Sequence, residues 1–234
     1  IVKNNDEKSA LELNVYSDDM NIYREIYYKV RKMFDLDTNF EKVKAVLNKD
    51  EFIKKLLKNG KLPRLPAAFD SYEFLIRAIL GQQITIKAAT TLASRIVERA
   101  NILFDSQIQG LDYIFPNIDE IKSMSLEEMG ITKTRIETIK AVNEALENGA
   151  FSLSTNQSFD RFYDDFTSIK GIGDWTANYV AMRGLGMVDA FPAGDMGVIK
   201  ALQKEYGEIK IKDIKVLAEK WRPYRANAAM CLCL

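Results

Sequence analysis

The spacing of apolar residues changes once within the N-terminal part of the chain. Residues 11–16 alternate between apolar and polar, which is the pattern of a half-buried β-strand. From Ile22 to Met33 the apolar residues recur at helical spacing, and this predicts a helix that starts near residue 20. A single strand leaves its backbone edges unpaired, so we expect partner strands upstream of the sequence. Residues 1–35 are therefore predicted to be the C-terminal part of an N-terminal α+β domain, with one strand and one helix visible.

After Phe34 the pattern is helical and includes no convincing strand. The 12 glycines and 5 prolines are few for this length, which favours helices over a β fold with many turns. Asp70 and Glu73 form a variant capping box at the start of one helix, and Gly81 ends that helix. The sequence thus predicts a mostly α protein, with helices over 38–47, 49–58, 70–80, 86–97, 124–129, 132–147, 159–169 and 174–183, and irregular structure over 102–120.

Composition excludes several kinds of chemistry. The 234 residues include no histidine, which removes the commonest general base at neutral pH and histidine-ligated metals. The two cysteines, Cys231 and Cys233, cannot form a four-thiolate metal site alone and indicate no disulfide framework, so a reducing, cytoplasmic setting is expected. Lysine plus arginine equals aspartate plus glutamate at 33 each, so net charge gives no indication of a nucleic-acid partner. No apolar run has the length of a membrane span.

One tight turn offers a binding site that needs no net charge. The residues Lys170-Gly171-Ile172-Gly173 join two predicted helices, and the two glycines can adopt positive φ and expose their N–H groups. The second helix begins at this turn, so its free N–H groups and its positive dipole end favour a phosphate. The carbonyls of the turn could instead hold a monovalent cation. A lone Gly-x-Gly is equally typical of an ordinary helical hairpin with a glycine cap.

The residues around this turn resemble a known superfamily. Residues 166–183, followed by Ala190-Phe191-Pro192-Ala193-Gly194-Asp195, resemble the hairpin and the downstream Gly/Pro-Asp of the helix–hairpin–helix (HhH-GPD) DNA glycosylases. The segment 77–84 is similar to the superfamily segment that probes the DNA helix. Within the superfamily, the chain is similar to the bacterial 3-methyladenine DNA glycosylase II (AlkA) type. The motifs that carry this likeness are Arg64-Leu65-Pro66, Gly171–Tyr179 and Trp221-Arg222-Pro223-Tyr224-Arg225.

The resemblance implies a fold and a set of partners. Residues 36–234 would form the all-helical glycosylase region, as two subdomains with the active-site cleft between them. The protein would need no cofactor, would bind duplex DNA containing damaged bases, and would act as a monomer.

The resemblance also assigns a catalytic role to Asp195. Cleavage of an N-glycosidic bond develops positive charge on the sugar, and a fixed carboxylate stabilises that charge and orients the attacking water. Without the resemblance, Asp195 is read as the N-cap of the helix that leads to Leu202, and both roles are compatible.

Trp175 and Tyr179 lie four residues apart, on one helix face. The resemblance places them in a shallow base pocket, where their π faces would favour a cationic alkylated base. Bifunctional members carry a lysine where this chain has Trp175, and that lysine cuts the strand through a Schiff base. An indole cannot do so, which implies a monofunctional enzyme. The alternative is a buried aromatic pair in the core.

Contacts with the DNA helix are implied for two further segments. Gln83 would enter the gap left by the flipped nucleotide, where its amide can bond the orphaned base; otherwise it is a solvent-exposed residue at a helix end. Lys170, Gly171, Ile172 and Gly173 would bind the DNA backbone, with Arg183 as a further candidate. Asp174 is read as a helix cap, and charged residues beside a hairpin are often only solvated.

One departure from the AlkA type concerns the substrate range. Cys233 stands where that type usually has an aromatic residue closing the base pocket, and Cys-x-Cys as a metal pair is a weak alternative. The function implied is that of a monofunctional DNA glycosylase of base excision repair, which hydrolyses the bond to flipped-out alkylated purines. The alternatives are a glycosylase for oxidised or deaminated bases and a non-catalytic DNA-binding module.

Overall fold

The computed structural model describes residues 1–57 and 60–233, and it is mostly helical. Residue 58, the predicted end of the third helix, lies outside these residues. The N-terminal hairpin pairs β1 (Val2–Asn5) with β2 (Ala10–Leu13) in antiparallel register. The partner of β2 therefore precedes it within the chain, so the prediction of one strand with all its partners upstream is wrong. The polar sequence of β1 gave no alternating pattern from which to predict it.

Twelve α-helices follow the hairpin in the described residues. No side chain caps the first of them, whereas Asn39, Asp50 and Asp70 each accept a backbone N–H at the start of the next three. The helices are α1 (Ile22–Met33), α2 (Phe40–Leu47), α3 (Glu51–Leu56), α4 (Ser71–Leu80), α5 (Ile86–Ala100), α6 (Ile118–Ser123), α7 (Lys133–Glu147), α8 (Phe159–Thr167), α9 (Asp174–Tyr179), α10 (Met196–Tyr206), α11 (Ile211–Ala218) and α12 (Arg225–Leu232). No helix of residues 1–57 and 60–233 could cross a membrane by length and apolarity.

The helix predicted over 124–129 is wrong. A helix lies instead at Ile118–Ser123, with its first three residues in the segment expected to be irregular, because Asn117 and Glu120 form a reciprocal capping box there. The capping box expected at Asp70 is only half formed, since Asp70 accepts the Glu73 N–H while the Glu73 carboxylate pairs with Arg77 at 2.6 Å.

Helix α4 occupies the centre of the helical region. It packs against α5, α7 and α9, and Leu75, Ile76, Ile79 and Leu80 are fully buried on it. The helix predicted to reach Arg183 is α-helical only to Tyr179 and continues as a π-helical turn over Val180–Gly184. A side chain at Gly184 would meet the Phe74 ring at 3.0 Å, so a glycine lets this turn lie against α4.

The N-terminal part is joined to the helical region by polar contacts. Asp35, at the predicted domain boundary, accepts the N–H of Leu65 at 2.7 Å. Ala68 N–H donates to the Arg183 carbonyl at 2.7 Å. Residues 64–68, which include the Arg-Leu-Pro motif, thus bond both Asp35 and the π-helical turn after α9. The division at residue 35 stays a prediction.

A buried aspartate links the second half of the chain to α3. Asp50 caps α3 through the N–H groups of Phe52 and Ile53 and accepts the Trp221 indole N–H at 2.9 Å. Trp221 is fully buried, and its ring centroid lies 5.6 Å from that of Phe191. Phe191 belongs to the loop that leads to Asp195. This contact extends from the N-terminal helices to the candidate site.

Replacing Asp50 with alanine is expected to lower the free energy of unfolding by about 3 kcal/mol, because the change removes a helix cap and orphans a buried indole N–H. Urea denaturation measures this loss. Asp18→Ala, at an exposed position, serves as the control and should change stability by less than about 0.5 kcal/mol.

The effect of Asp50 should depend on pH. Burial by itself raises the pKa of Asp50, but hydrogen bonds from Lys220 and Trp221 outweigh it and hold the pKa below its ordinary value. Such a carboxylate contributes stability that is full above its unfolded pKa of about 4 and is lost as the pH falls through the folded pKa. The difference in the free energy of unfolding between wild type and Asp50→Ala should therefore narrow as the pH falls from about 5 toward the folded pKa of Asp50. A difference independent of pH would contradict the assignment.

Candidate active site

A cleft of about 1330 Å³ lies between the α4–α5 turn, the α8–α9 turn and the start of α10. It brings together residues that are more than 100 positions apart in the sequence. The predicted site residues that line it are Gln83, Gly171, Gly173, Trp175, Tyr179 and Asp195, whereas Lys170 and Ile172 are not in its lining. Exposed apolar side chains at the first positions of two helices, Ile86 and Met196, also line the cleft.

Asp195 is the N-cap of α10, and its carboxylate also reaches the cleft. Its Oδ1 accepts the Gly197 N–H at 2.8 Å and, more weakly, the Val198 N–H at 3.5 Å. Its Oδ2 lies 3.4 Å from the Trp175 indole nitrogen, a long hydrogen bond. Capping therefore fixes Oδ1 and leaves Oδ2 beside the Trp175 indole. The cap and the predicted catalytic role are geometrically compatible.

An aromatic stack of two nearly parallel rings, with a third ring tilted by 40° against it, lies next to this carboxylate. Trp175 and Tyr179 are half-buried and nearly parallel, with 4.7 Å between ring centroids and 13° between planes. Phe74 lies 5.3 Å from Tyr179. Tyr179 thus lies between Phe74 and Trp175. Of these three residues, Trp175 is the one whose indole N–H donates to the Asp195 carboxylate.

Asn178 positions the loop that carries Asp195, and the sequence analysis did not single it out. It is 4% exposed; its Oδ1 accepts the Phe191 N–H at 2.8 Å and its Nδ2 donates to the Asp174 carbonyl at 3.0 Å. Most buried amides have hydrogen-bond partners, and the two bonds of this side chain tie α9 to the loop. An asparagine among apolar residues on a buried helix face was the available signal.

Asp174 does not cap α9, contrary to the sequence prediction. The N-cap is Gly173, and the Asp174 carboxylate accepts the Tyr163 hydroxyl and the Lys215 ammonium, both at 2.7 Å. Burial, and then the hydrogen bond to Asp174, raise the pKa of Tyr163 to about 12, so the phenol stays a donor at neutral pH. Asp174 is thereby oriented toward α8 and α11.

Gly171 and Gly173 differ in whether their position would accept a side chain. Gly171 has φ +93°, and a Cβ there would come within 2.0 Å of Thr138 Oγ1 on α7. Gly173 has φ −100° and open space around the Cβ position, so only Gly171 requires the left-handed region. Ile172 is buried and its N–H bonds the Ile169 carbonyl at 3.0 Å. Among the described residues, the Gly171 and Gly173 N–H groups have no hydrogen-bond acceptor.

The carbonyls of this turn already accept hydrogen bonds. Gly171 O accepts Gln82 Nε2 at 3.1 Å, and Gly173 O accepts the Ala177 N–H at 3.0 Å. A monovalent cation would have to share these carbonyls. No group of three metal-binding side chains occurs in residues 1–57 and 60–233.

The remaining candidates lie at the edges of the site. Lys170 is highly exposed, 3.7 Å from Glu137, and Arg183 is half-buried with its guanidinium 3.9 Å from Met230 Sδ. Burial, and then the nearby Asp195 carboxylate, raise the pKa of Cys233. A Cβ on Gly197 would be 3.0 Å from its Sγ. Cys233 therefore lies against the start of α10, as a small side chain next to Asp195.

Comparison with known proteins identifies the class to which this fold and cleft belong. The family model "HhH-GPD superfamily base excision DNA repair protein" matches residues 76–225, and "AlkA N-terminal domain" matches residues 1–70. The first match covers most of the chain, and the chain belongs to the HhH-GPD superfamily.

Individual relatives agree with this assignment. The chain is 32% identical over 206 residues to a probable bifunctional transcriptional activator/DNA repair enzyme AlkA of Mycobacterium tuberculosis, covering 87% of the chain and 41% of that relative. The structure of 3-methyladenine DNA-glycosylase from Archaeoglobus fulgidus is 26% identical, with a TM-score of 0.74, over 96% of this chain and 77% of that one. An 8-oxoguanine glycosylase/lyase from Clostridium acetobutylicum in complex with DNA shares the fold, at 21% identity and a TM-score of 0.75, over 93% of this chain and 76% of that one.

The two glycines of the turn should respond differently to alanine. Gly171→Ala is expected to lower the free energy of unfolding by about 2 kcal/mol or more, because it combines a left-handed backbone with a clash against Thr138. Gly173→Ala should stay within about 0.5 kcal/mol of wild type. Urea denaturation of the two variants measures the difference, and equal losses would contradict the described turn.

Proposed function

We propose that the chain is a monofunctional DNA glycosylase that removes alkylated purines of the 3-methyladenine type from duplex DNA and leaves an abasic site. The observation that carries the proposal is the cleft, in which the Asp195 carboxylate adjoins the aromatic stack of Trp175, Tyr179 and Phe74. The names of relatives from Mycobacterium tuberculosis and Archaeoglobus fulgidus support the repair function and the substrate class.

Hydrolysis requires a negatively charged group that stabilises the positive charge developing on the sugar. The bond between C1′ and the base nitrogen breaks, and its electron pair leaves with the base, which neutralises a cationic alkylated purine. A water oxygen bonds to C1′ and loses its proton to the Asp195 carboxylate or to solvent. Asp195 stabilises the developing oxocarbenium ion, as a fixed charge does in a site that excludes water. An alkylated purine that already carries positive charge is a good leaving group, so the absence of histidine is compatible with this reaction.

The aromatic stack supplies preference for a cationic base. Trp175 would receive the flipped base on its π face, and Tyr179 and Phe74 would support the indole from behind. The attraction between a cation and an aromatic face is strongest for tryptophan. Cys233 follows α12 and lies against Gly197 at the start of α10. A cysteine is smaller than the aromatic residue that the AlkA type usually has at this position, so the range of accepted bases is expected to be broad.

DNA binding would depend on backbone amides rather than on net charge. The N–H groups of Gly171 and Gly173 point to no acceptor among the described residues and lie at the start of α9, where a phosphate is favoured. Gln83, an exposed residue in the lining of the cleft, would fill the gap left by the flipped nucleotide. Opening the duplex costs a few kcal/mol, which favours lesions that already weaken pairing.

Asparagine in place of Asp195 separates the two roles of this residue, because asparagine caps a helix as well as aspartate does. Asp195→Asn should keep the fold and lower the rate of 3-methyladenine release from methylated duplex DNA by about 100-fold or more. Chromatography of the released bases measures the rate, and circular dichroism checks the fold. Release at the wild-type rate would exclude the mechanism.

The substrate class is tested with the same wild-type protein. Duplexes containing 8-oxoguanine, hypoxanthine or uracil provide the comparison, and faster release of one of these bases would replace the alkylpurine assignment. Binding without release of any base would favour a non-catalytic DNA-binding module.

Borohydride should trap no covalent protein–DNA adduct during turnover, because Trp175 has no amine with which to form a Schiff base. A glycosylase/lyase treated in parallel on its own substrate provides the positive control. Gel electrophoresis detects the adduct, and an adduct would show that another amine of the chain acts as a nucleophile.

A further inference from the structure

The turn that carries Gln83 has an unusual backbone for its residues. Gln83 has φ +55°, the left-handed region that favours glycine, and its side chain is exposed. Its side chain has no hydrogen bond to the described part of the chain. A non-glycine residue stays in this region only where the surroundings hold it there. The contacts that hold Gln83 must therefore come through its neighbours.

The neighbour that provides these contacts is Gln82. Its Nε2 donates to the Gly171 carbonyl and to Thr176 Oγ1, each at 3.1 Å, so it bonds both the α8–α9 turn and α9. Its own carbonyl accepts a hydrogen bond from the Arg135 guanidinium on α7. Gln82 is thus held by three elements outside its own turn.

These contacts connect the Gln82 turn, the α8–α9 turn and α7 to one another. Gly171, which accepts the Gln82 amide, lies against Thr138 of α7, three residues from Arg135. The α8–α9 turn therefore cannot shift without moving Gln82, α7 or both. The residue proposed to enter the duplex and the turn proposed to bind its backbone are mechanically connected by one side chain.

We propose that Gln82 is a positioning residue, which holds the Gln83 turn in its inserting conformation and couples it to the α8–α9 turn bound on the DNA backbone. The inference rests on the proposed glycosylase function. Its role is specific to duplex DNA, because a single strand has no base stack to open and no gap to fill. A residue that served only stability would affect both kinds of substrate alike.

The test replaces Gln82 with methionine, which keeps the length of the side chain and removes both N–H donors. Base release from methylated duplex DNA is expected to fall by about tenfold or more, since small misplacements of a positioned group are costly. Release from the same methylated DNA as a single strand should change by less than about twofold. The matched control is Gln157→Met. Gln157 Nε2 likewise donates two hydrogen bonds, in this case to the backbone carbonyls of Ser152 and Ser154, and Gln157 does not line the cleft.

A second measurement follows the insertion directly. The reporter is a duplex that carries 2-aminopurine next to a tetrahydrofuran abasic analogue. Its fluorescence should rise when wild-type protein or Gln157→Met unstacks the 2-aminopurine. The rise should be smaller with Gln82→Met when the same fraction of the duplex is bound. Equal losses on duplex and single strand, or an unchanged duplex rate, would overturn the proposal. A wild-type protein that releases no base would refute the proposed function instead, and the fluorescence change would still test the coupling.

Discussion

The hydrogen bond between the Asn178 side chain and the Phe191 N–H is the constraint on which the candidate site depends. It is buried between α9, which carries the aromatic stack, and the loop that ends at Asp195. A buried amide left without a partner costs about 1–3 kcal/mol, so the loop is held where this bond can form. The other end of the loop is fixed by the cap of α10, and the packing of Trp221 on Phe191 connects it to α3. The position of the carboxylate beside Trp175 follows from these three contacts.

The neutral net charge of the chain agrees with a site built from backbone groups. The start of α9 and the glycine N–H groups provide partial positive charge without lysine or arginine. Lys215, which lies close to this turn, is paired with Asp174, and Lys170 lies 3.7 Å from Glu137. These two lysines are thus paired with carboxylates, and the proposed phosphate contact would come from backbone N–H groups, for which a weaker dependence of DNA binding on salt is expected than for a basic surface.

The sequence predicted those elements whose ends are marked by local signals. The helices over 70–80, 86–97 and 132–147 begin at Asp70, Thr85 and Thr132, whose side chains cap them in the structure. The wrong predictions fall where the local signal was weak or was missed. The polar strand β1 has no alternation, and the helix predicted over 124–129 did not take account of the capping box that Asn117 and Glu120 form. The superfamily resemblance is confirmed by the family match, whereas the roles of individual residues stay predictions.

By itself the sequence determined the helical class, the glycine turn, the aromatic pair and the aspartate at the start of a helix, because each depends on residues close together in the chain. Only the tertiary structure decided that Gln83 and Asp195 line one cleft, that Asp174 bonds Tyr163 and Lys215 instead of capping α9, and that Gln82 joins two distant turns. These contacts connect residues far apart in sequence. Their geometry depends on which buried donors and acceptors lie within hydrogen-bond distance once the helices have packed. Local periodicity contains no information about that pairing.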